Sequence, residues 1–426
     1  YILLTATQPA PGTPQNRDKM KALKKDPPPP PLQHDALLPY LSDDTPLGRR
    51  VKQHIQEDGY IVLPNILSQE ECSIQLDLLW DFVEATSPGV GRNDPNSWYP
   101  PPSSSPNTPT IDPWPHSGWN SLPDMCQSFQ AGWLFGSLRE ILADRVFEPI
   151  YGTRELHSSK EGFTFHRPTA QVAPNGATHP VLTAERPRVC GKTQTRTRGE
   201  HFDQCAADTG LHCIQSSTAL IDQDVQDGCF WCWPKSHKEH PRLTKNIWRG
   251  RSDWVPLVDG ELDLLEGMGM SPKRIPVRAG DVILWRSDLC HCGVGPTSLR
   301  SGFRAVSYTA MIPAAMTPLD VVDGKLEDYL TMLTGDHRPN IRSRHFAPPK
   351  KDKQGGEKKK MQQQKSEGGA EQDAAGLKIA RGKYFADGPP LLTLRQAELY
   401  GLVPYDRRDG DESVIHSKVR ILDAKP

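Results

Sequence analysis

The stretch RIPVRAGDVILWRSDLCHCG, residues 274–293, decides how the rest of the chain is read. Ala279-Gly280-Asp281 is turn chemistry. Val282–Trp285 is a short, uncharged run rich in β-branched and aromatic side chains, which suits a buried strand. A second bend follows, and His291 lies just past it, between Cys290 and Cys292. Strand, turn, strand, bend and histidine, with no helix between them, is an antiparallel β pattern.

The same texture runs outward in both directions. GFTFH (162–166), LHCIQSSTALI (211–221), GCFWCWP (228–234) and GFRAVSYTAMI (302–312) are short apolar stretches punctuated by Gly, Pro and Asp. Strands that follow one another without long helices predict a sandwich or jelly roll rather than a doubly wound sheet. The expected fold is an all-β core with flanking helices, a double-stranded β-helix of the cupin-like kind.

Upstream, residues 47–58 read as a helix stopped by Gly59, and YIVLP (60–64) as a buried strand. Ser68-x-x-Glu71 is a capping box, opening a helix whose Cys72, Leu76, Leu79, Trp80 and Val83 share one face. Residues 88–120 read as a loop, and 122–149 as helix in two pieces broken near Gly132 or Gly136. Downstream, 318–335 is expected to be helical, and TLRQAELYG (393–401) a short helix ending in glycine.

The domain organisation expected is a disordered leader (1–45) whose proline run 27–31 favours extended chain. One domain then spans 46–345, with a helical N-terminal part (46–155), a β core (about 156–315) and a helical extension (316–345). A low-complexity polar linker (346–377) leads to a C-terminal helix and tail (378–426).

Composition limits the function. Lys+Arg total 51 against 52 Asp+Glu, so the chain lacks the basic excess of a general nucleic-acid binder. It contains no apolar run of the roughly 18 residues that a membrane span needs. Nine cysteines, an odd number scattered along a large chain, argue for reduced thiols in a cytoplasmic compartment rather than a disulfide scaffold. The expected partner is a small-molecule or acyl substrate, with no nucleic acid and no membrane.

The chemistry begins at GEHFDQ, 199–204. On a strand, His201 and Asp203 point to one face. An imidazole and a carboxylate are two thirds of the 2-His-1-carboxylate triad that holds non-haem Fe(II) with open positions. The pair alone is weak, since His237 and Glu239 have the same spacing. A third ligand must come from a distant strand, and His291 is the candidate. Arg304 follows on the next strand, where its planar fork suits a buried carboxylate. The cysteines suggest zinc instead, but Cys229 and Cys232, three apart on a strand, face opposite sides, and Cys290 and Cys292 point away from His291 if extended. They read as small buried hydrophobes. Trp231 and Trp233 read as core.

Five ordered motifs resemble the phytanoyl-CoA dioxygenase family: His201-x-Asp203, DGCFWCWPKSH (227–237), AGDVILW (279–285), His291 and GFRAVSY (302–308). The resemblance runs from about 55 to 315. It implies an Fe(II)- and 2-oxoglutarate-dependent oxygenase that consumes O2 and releases succinate and CO2. By the same resemblance His201, Asp203 and His291 are catalytic metal ligands and Arg304 anchors 2-oxoglutarate. Arg300 is a rival for that anchor. Gln215 and Ser217, on the strand after His-x-Asp, are expected to face the cofactor, and His237 to be a structural turn residue. Lys235 stands where the family's Pro-Gly-Ser-His turn has glycine. Retention of Asp203 favours hydroxylation over halogenation, which needs that position vacated. Two alternatives are an inactive jelly-roll binding or scaffold protein and a cupin-like metalloenzyme without oxygen chemistry; in both, Arg304 would have no cosubstrate to hold. The basic linker 350–360 and the stretch KTQTRTR (192–198) read as solvated.

Overall fold

The computed structural model describes residues 36–87, 89–99, 114, 125–126, 131–168, 199–206, 208–244, 253–297, 301–335, 337–341, 384–385, 387–406 and 417–422. Residues 1–35 of the leader expected over 1–45, the linker 346–377, the stretch 192–198 and Arg300 lie outside them, whereas Leu37 and Leu41 of that leader are buried in the core.

Two antiparallel sheets form the core. The strands in chain order are β1 (Tyr60–Leu63), β2 (Met125–Cys126), β3 (Leu156–Ser158), β4 (Phe163–His166), β5 (His201–Phe202) and β6 (Ile214–Ala219). They continue with β7 (Cys229–Cys232), β8 (Val255–Pro256), β9 (Lys273–Ile275), β10 (Val282–Arg286), β11 (His291–Val294) and β12 (Arg304–Pro313). Among the described residues one sheet runs β1-β10-β6-β12-β4-β2, with β3 also on β12, and the other β8-β5-β11-β7-β9. The fold is the expected jelly roll, although its sheets do not close into a barrel.

Register fixes what each sheet turns inward. Tyr308 pairs with Ser217, and Ser217 with Ile283. Gly293 pairs with Phe230, and Phe230 with Ile275. Ile283, Trp285, Phe230, Ile275 and Tyr308 then pack in one cluster between the sheets. Side-chain alternation places Gln215, Ser217 and Arg304 on the same inward face.

Helices cover the outside. α1 (Pro46–Glu57) starts at Thr45, whose hydroxyl accepts from Gly48 N–H at 2.9 Å. α2 (Gln69–Thr86) opens with the Ser68–Glu71 capping box, a device contributing about 1 kcal/mol. Its Trp80 sits in an aromatic cluster with Trp98, Trp114, Phe165 and Phe303, the Trp80–Phe165 centroids 4.9 Å apart.

The helix expected over 122–149 is corrected. Met125–Cys126 instead adds a strand to the edge of β4, because β4's outer hydrogen-bonding groups need partners. Regular helix begins at α3 (Gly136–Leu142) and runs through a π segment (Ala143–Phe147) into α4 (Glu148–Tyr151). Gly136 starts α3 rather than breaking a helix; a Cβ there would meet Gln396 Cδ at 3.0 Å.

α5 (His240–Thr244) and α6 (Asp259–Gly267) flank the second sheet. α7 (Leu319–Thr331) is shorter than the extension predicted for 316–345: Met332 adopts a left-handed conformation (φ 58°) and the chain turns out of the helix. α8 (Leu394–Leu399) is capped by Thr393. It brings Ala397 and Tyr400 against Trp133 and Tyr329, so the C-terminal segment packs on the domain. A buried Lys160–Asp328 pair at 2.6 Å ties α7 to the same place.

Candidate metal centre

β5 and β11 meet at one residue pair, His201 opposite His291. Direct cross-strand partners share a face, and the two imidazole centroids lie 4.6 Å apart. Asp203 follows the end of β5, held by its N–H donating to the Ser287 carbonyl at 2.9 Å. Its Oδ1 is 3.5 Å from His201 Nε2 and its Oδ2 3.3 Å from His291 Nε2. One donor atom from each of the three lies within 4.8 Å of the others.

The tautomers follow from the backbone. His201 Nδ1 is 2.7 Å from the Gly199 carbonyl, and His291 Nδ1 is 2.9 Å from the Leu289 carbonyl. A carbonyl only accepts, so each Nδ1 carries the proton and donates it, leaving the Nε2 lone pair turned toward Asp203. This is how metal-binding imidazoles are oriented. Burial pushes His201 down to about 4, with Asp203 opposing and His291 adding to the fall, so the ring is neutral near pH 7. Burial would raise the Asp203 carboxyl, but the imidazoles of His337, His201 and His291 outweigh it and hold it well below the usual carboxylate range. Two imidazole nitrogens and one carboxylate oxygen fit a divalent cation of the Fe(II) kind.

Around this trio, Gln215 Nε2 donates to Asp203 Oδ2 at 2.8 Å. Phe230 and Trp285 pack beside His291 with centroids at 5.6 and 5.3 Å. Ser217 is buried on the same inward face two residues from Gln215.

Arg304 reaches into the space between the sheets. It is buried, and its Nε donates to Gln223 Oε1 at 3.2 Å. Among the described residues no carboxylate pairs with its guanidinium. A Cβ added to Gly293, two residues from His291 on the same face, would lie 4.0 Å from Arg304 Nη1. The guanidinium therefore reaches across the gap toward β11.

Among the described residues no cysteine joins the cluster of His201, Asp203 and His291. Cys229 and Cys292 pack with Trp231 and Val294 on one face, Cys232 lies in the cluster between the sheets, and Cys290 packs with Phe202 and Trp233. His237 Nε2 donates to the Gln56 carbonyl at 3.2 Å, linking its turn to α1.

Two residues near the trio carry no signal in the sequence. Trp254 is 53 % exposed and its ring lies 5.8 Å from that of His201. His337 Nε2 is 2.7 Å from the main-chain oxygen of Asp203. Neither belongs to a local motif, and only the folded chain brings them here.

Residues 170–301 match the phytanoyl-CoA dioxygenase (PhyH) family. The chain carries a PhyH-like domain. The matched span contains His201, Asp203 and His291 and ends just before Arg304. The PhyH family uses Fe(II), 2-oxoglutarate and O2, so the chain falls in the class of 2-oxoglutarate-dependent non-haem iron enzymes. No curated protein matches the chain. Among solved structures, EctD from S. alaskensis with 2-oxoglutarate and 5-hydroxyectoine is 14% identical, covering 67% of this chain and 82% of that one at a TM-score of 0.38. The nogalamycin-biosynthesis carbocyclase SnoK is 17% identical over 66% of this chain and 88% of its own, at a TM-score of 0.34. AviO1 from Streptomyces viridochromogenes Tue57 is 14% identical over 64% and 97%, at 0.35. Among the described residues no helix is long and apolar enough to cross a membrane.

Proposed function

We propose that this PhyH-like chain hydroxylates a C–H bond of a small-molecule or acyl substrate. His201 and His291 hold Fe(II) through Nε2, and Asp203 holds it through a carboxylate oxygen. The observation that carries this reading is the pair of Nδ1–carbonyl hydrogen bonds, which leaves both Nε2 lone pairs facing one ionised carboxylate. With 2-oxoglutarate and O2, bound Fe(II) supplies the oxidising chemistry, and 2-oxoglutarate leaves as succinate and CO2.

The chain's own residues bind and orient. Gln215 fixes the Asp203 carboxylate through Oδ2. Arg304 receives the far carboxylate of 2-oxoglutarate with a bidentate fork, and Ser217 lines the cosubstrate's space. Phe230 and Trp285 keep water from the His291 side, and substrate approaches past Trp254 and the partly exposed His201.

The test is conversion of 2-oxoglutarate to succinate by Fe(II)-loaded protein in air. The parent is expected to turn it over slowly without substrate, and Asp203→Ala and His291→Ala to lose at least about a hundredfold. Turnover equal in the parent and both variants would refute the proposal.

A further inference from the structure

The segment after α7 lies outside the span matched by the PhyH family, yet it reaches the candidate iron ligands. Gly335 N–H donates to the Lys160 carbonyl at 3.2 Å. Arg338 is driven inside, 6 % exposed, where its Nη1 bonds Asp208 Oδ2 at 2.8 Å and Asp253 Oδ1 at 2.9 Å. Cys205, Asp208 and Asp253 could by spacing hold a cation, but the Arg338 guanidinium already bonds both carboxylates, so the cluster locks the segment in place. The Cys213 thiol adds a contact to the His337 carbonyl at 3.3 Å.

His337 is fixed between these anchors. Its Nε2 stands 2.7 Å from the Asp203 main-chain oxygen, and its Nδ1 is 4.0 Å from Asp203 Oδ2. The carbonyl can only accept, so Nε2 donates. Asp203 is then held at three points: Gln215 grips its carboxylate, the Ser287 carbonyl accepts from its N–H, and His337 donates to its own carbonyl. The geometry points to His337 as a positioning residue for Asp203, delivered by a segment that Arg338 locks down. This rests on the reading of Asp203 as an iron ligand. Outer partners that orient a ligand govern metal affinity as well as rate.

The experiment uses the full chain, freed of metal, and titrates it anaerobically with Fe(II) and separately with Co(II), following the visible Co(II) spectrum. His337→Phe keeps a ring in place but removes the donor; His337→Gln keeps a donor of similar reach. The phenylalanine variant is expected to bind either metal about tenfold more weakly with an altered Co(II) band, and the glutamine variant to stay within roughly threefold of the parent. A phenylalanine variant that binds like the parent overturns the inference. So do two variants weakened alike, since the donor would then be irrelevant. Asp203→Ala separates the two readings: parental affinity in that variant, or a parent that binds no metal, overturns the iron assignment itself.

Discussion

Gly228 stands beside Arg304 with no side chain of its own. A Cβ there would lie 3.0 Å from Arg304 Cδ, 2.9 Å from His166 Nδ1 and 3.2 Å from the Val294 carbonyl. Gly228→Ala is expected to displace the guanidinium and raise the 2-oxoglutarate needed for half-saturation by about tenfold, the ~1.4 kcal/mol of a spoiled charge-assisted hydrogen bond. Fe(II) affinity should stay within about twofold of the parent, because the three ligands are untouched; parallel titrations of metal and cosubstrate check both. Lys235 adopts the left-handed conformation (φ 72°) that a glycine would take without penalty. That conformation costs an L-residue about 1–2 kcal/mol, while glycine costs about 0.5–1 kcal/mol in lost unfolded-state freedom. Lys235→Gly should therefore stabilise the fold by roughly 0.5–1 kcal/mol, read as a higher urea midpoint at unchanged slope. The turn that the sequence makes unusual by its lysine keeps the backbone a glycine would give.

The strands are the element-scale foundation of the site. VILW was legible because short apolar runs between turn residues have few other uses, and it forms β10; β11 (His291–Val294) was legible only as the bend and histidine that follow that run. His201 and Asp203 were legible by their spacing of two, although β5 covers only His201–Phe202 and Asp203 lies past its end, held by Ser287. β2 was not legible, because two residues carry no period and only the β4 edge gives them structure. His337 was not legible for a different reason: it sits 134 residues from Asp203, and no local pattern encodes so distant a contact. Alternation along β7 and β11 turns Cys229 and Cys292 away from His291, whereas Cys232 pairs directly with His291. Cys292→Ser should leave Fe(II) and zinc affinities within about twofold of the parent, since Cys292 faces Trp231 and Cys229 rather than His291. Loss of metal binding in that variant would return the cysteines to the ligand set.

Across the whole molecule, buried bases make the fold acid-sensitive. Burial, with Lys325 adding to it, pushes His157 down to about 3 from the ordinary 6.5; burial, with Arg286 adding to it, pushes His237 down to about 4. Between pH 6.5 and those values the unfolded chain binds protons that the folded chain refuses. Their contribution to stability is complete above pH 6.5 and lost as pH falls through the window. Glu161 runs the other way: burial raises it to about 7 from 4.5, so its contribution is present below 4.5 and lost as pH rises toward 7. His212 and His240 are also lowered by burial, so among the described residues the lowered histidines outnumber Glu161. The urea midpoint should rise from pH 4.5 to 6.5, and a flat or falling midpoint would contradict this balance.

The central claim is that His201, Asp203 and His291 hold an iron to which 2-oxoglutarate binds under the control of Arg304. Anaerobic titration of Fe(II) and 2-oxoglutarate into metal-free protein tests it most directly, through the visible charge-transfer band of the chelated complex. A band is expected in the parent, none in His291→Ala, and in Arg304→Ala a band that needs far more 2-oxoglutarate. No band in the parent, or the same band in all three proteins, would contradict it.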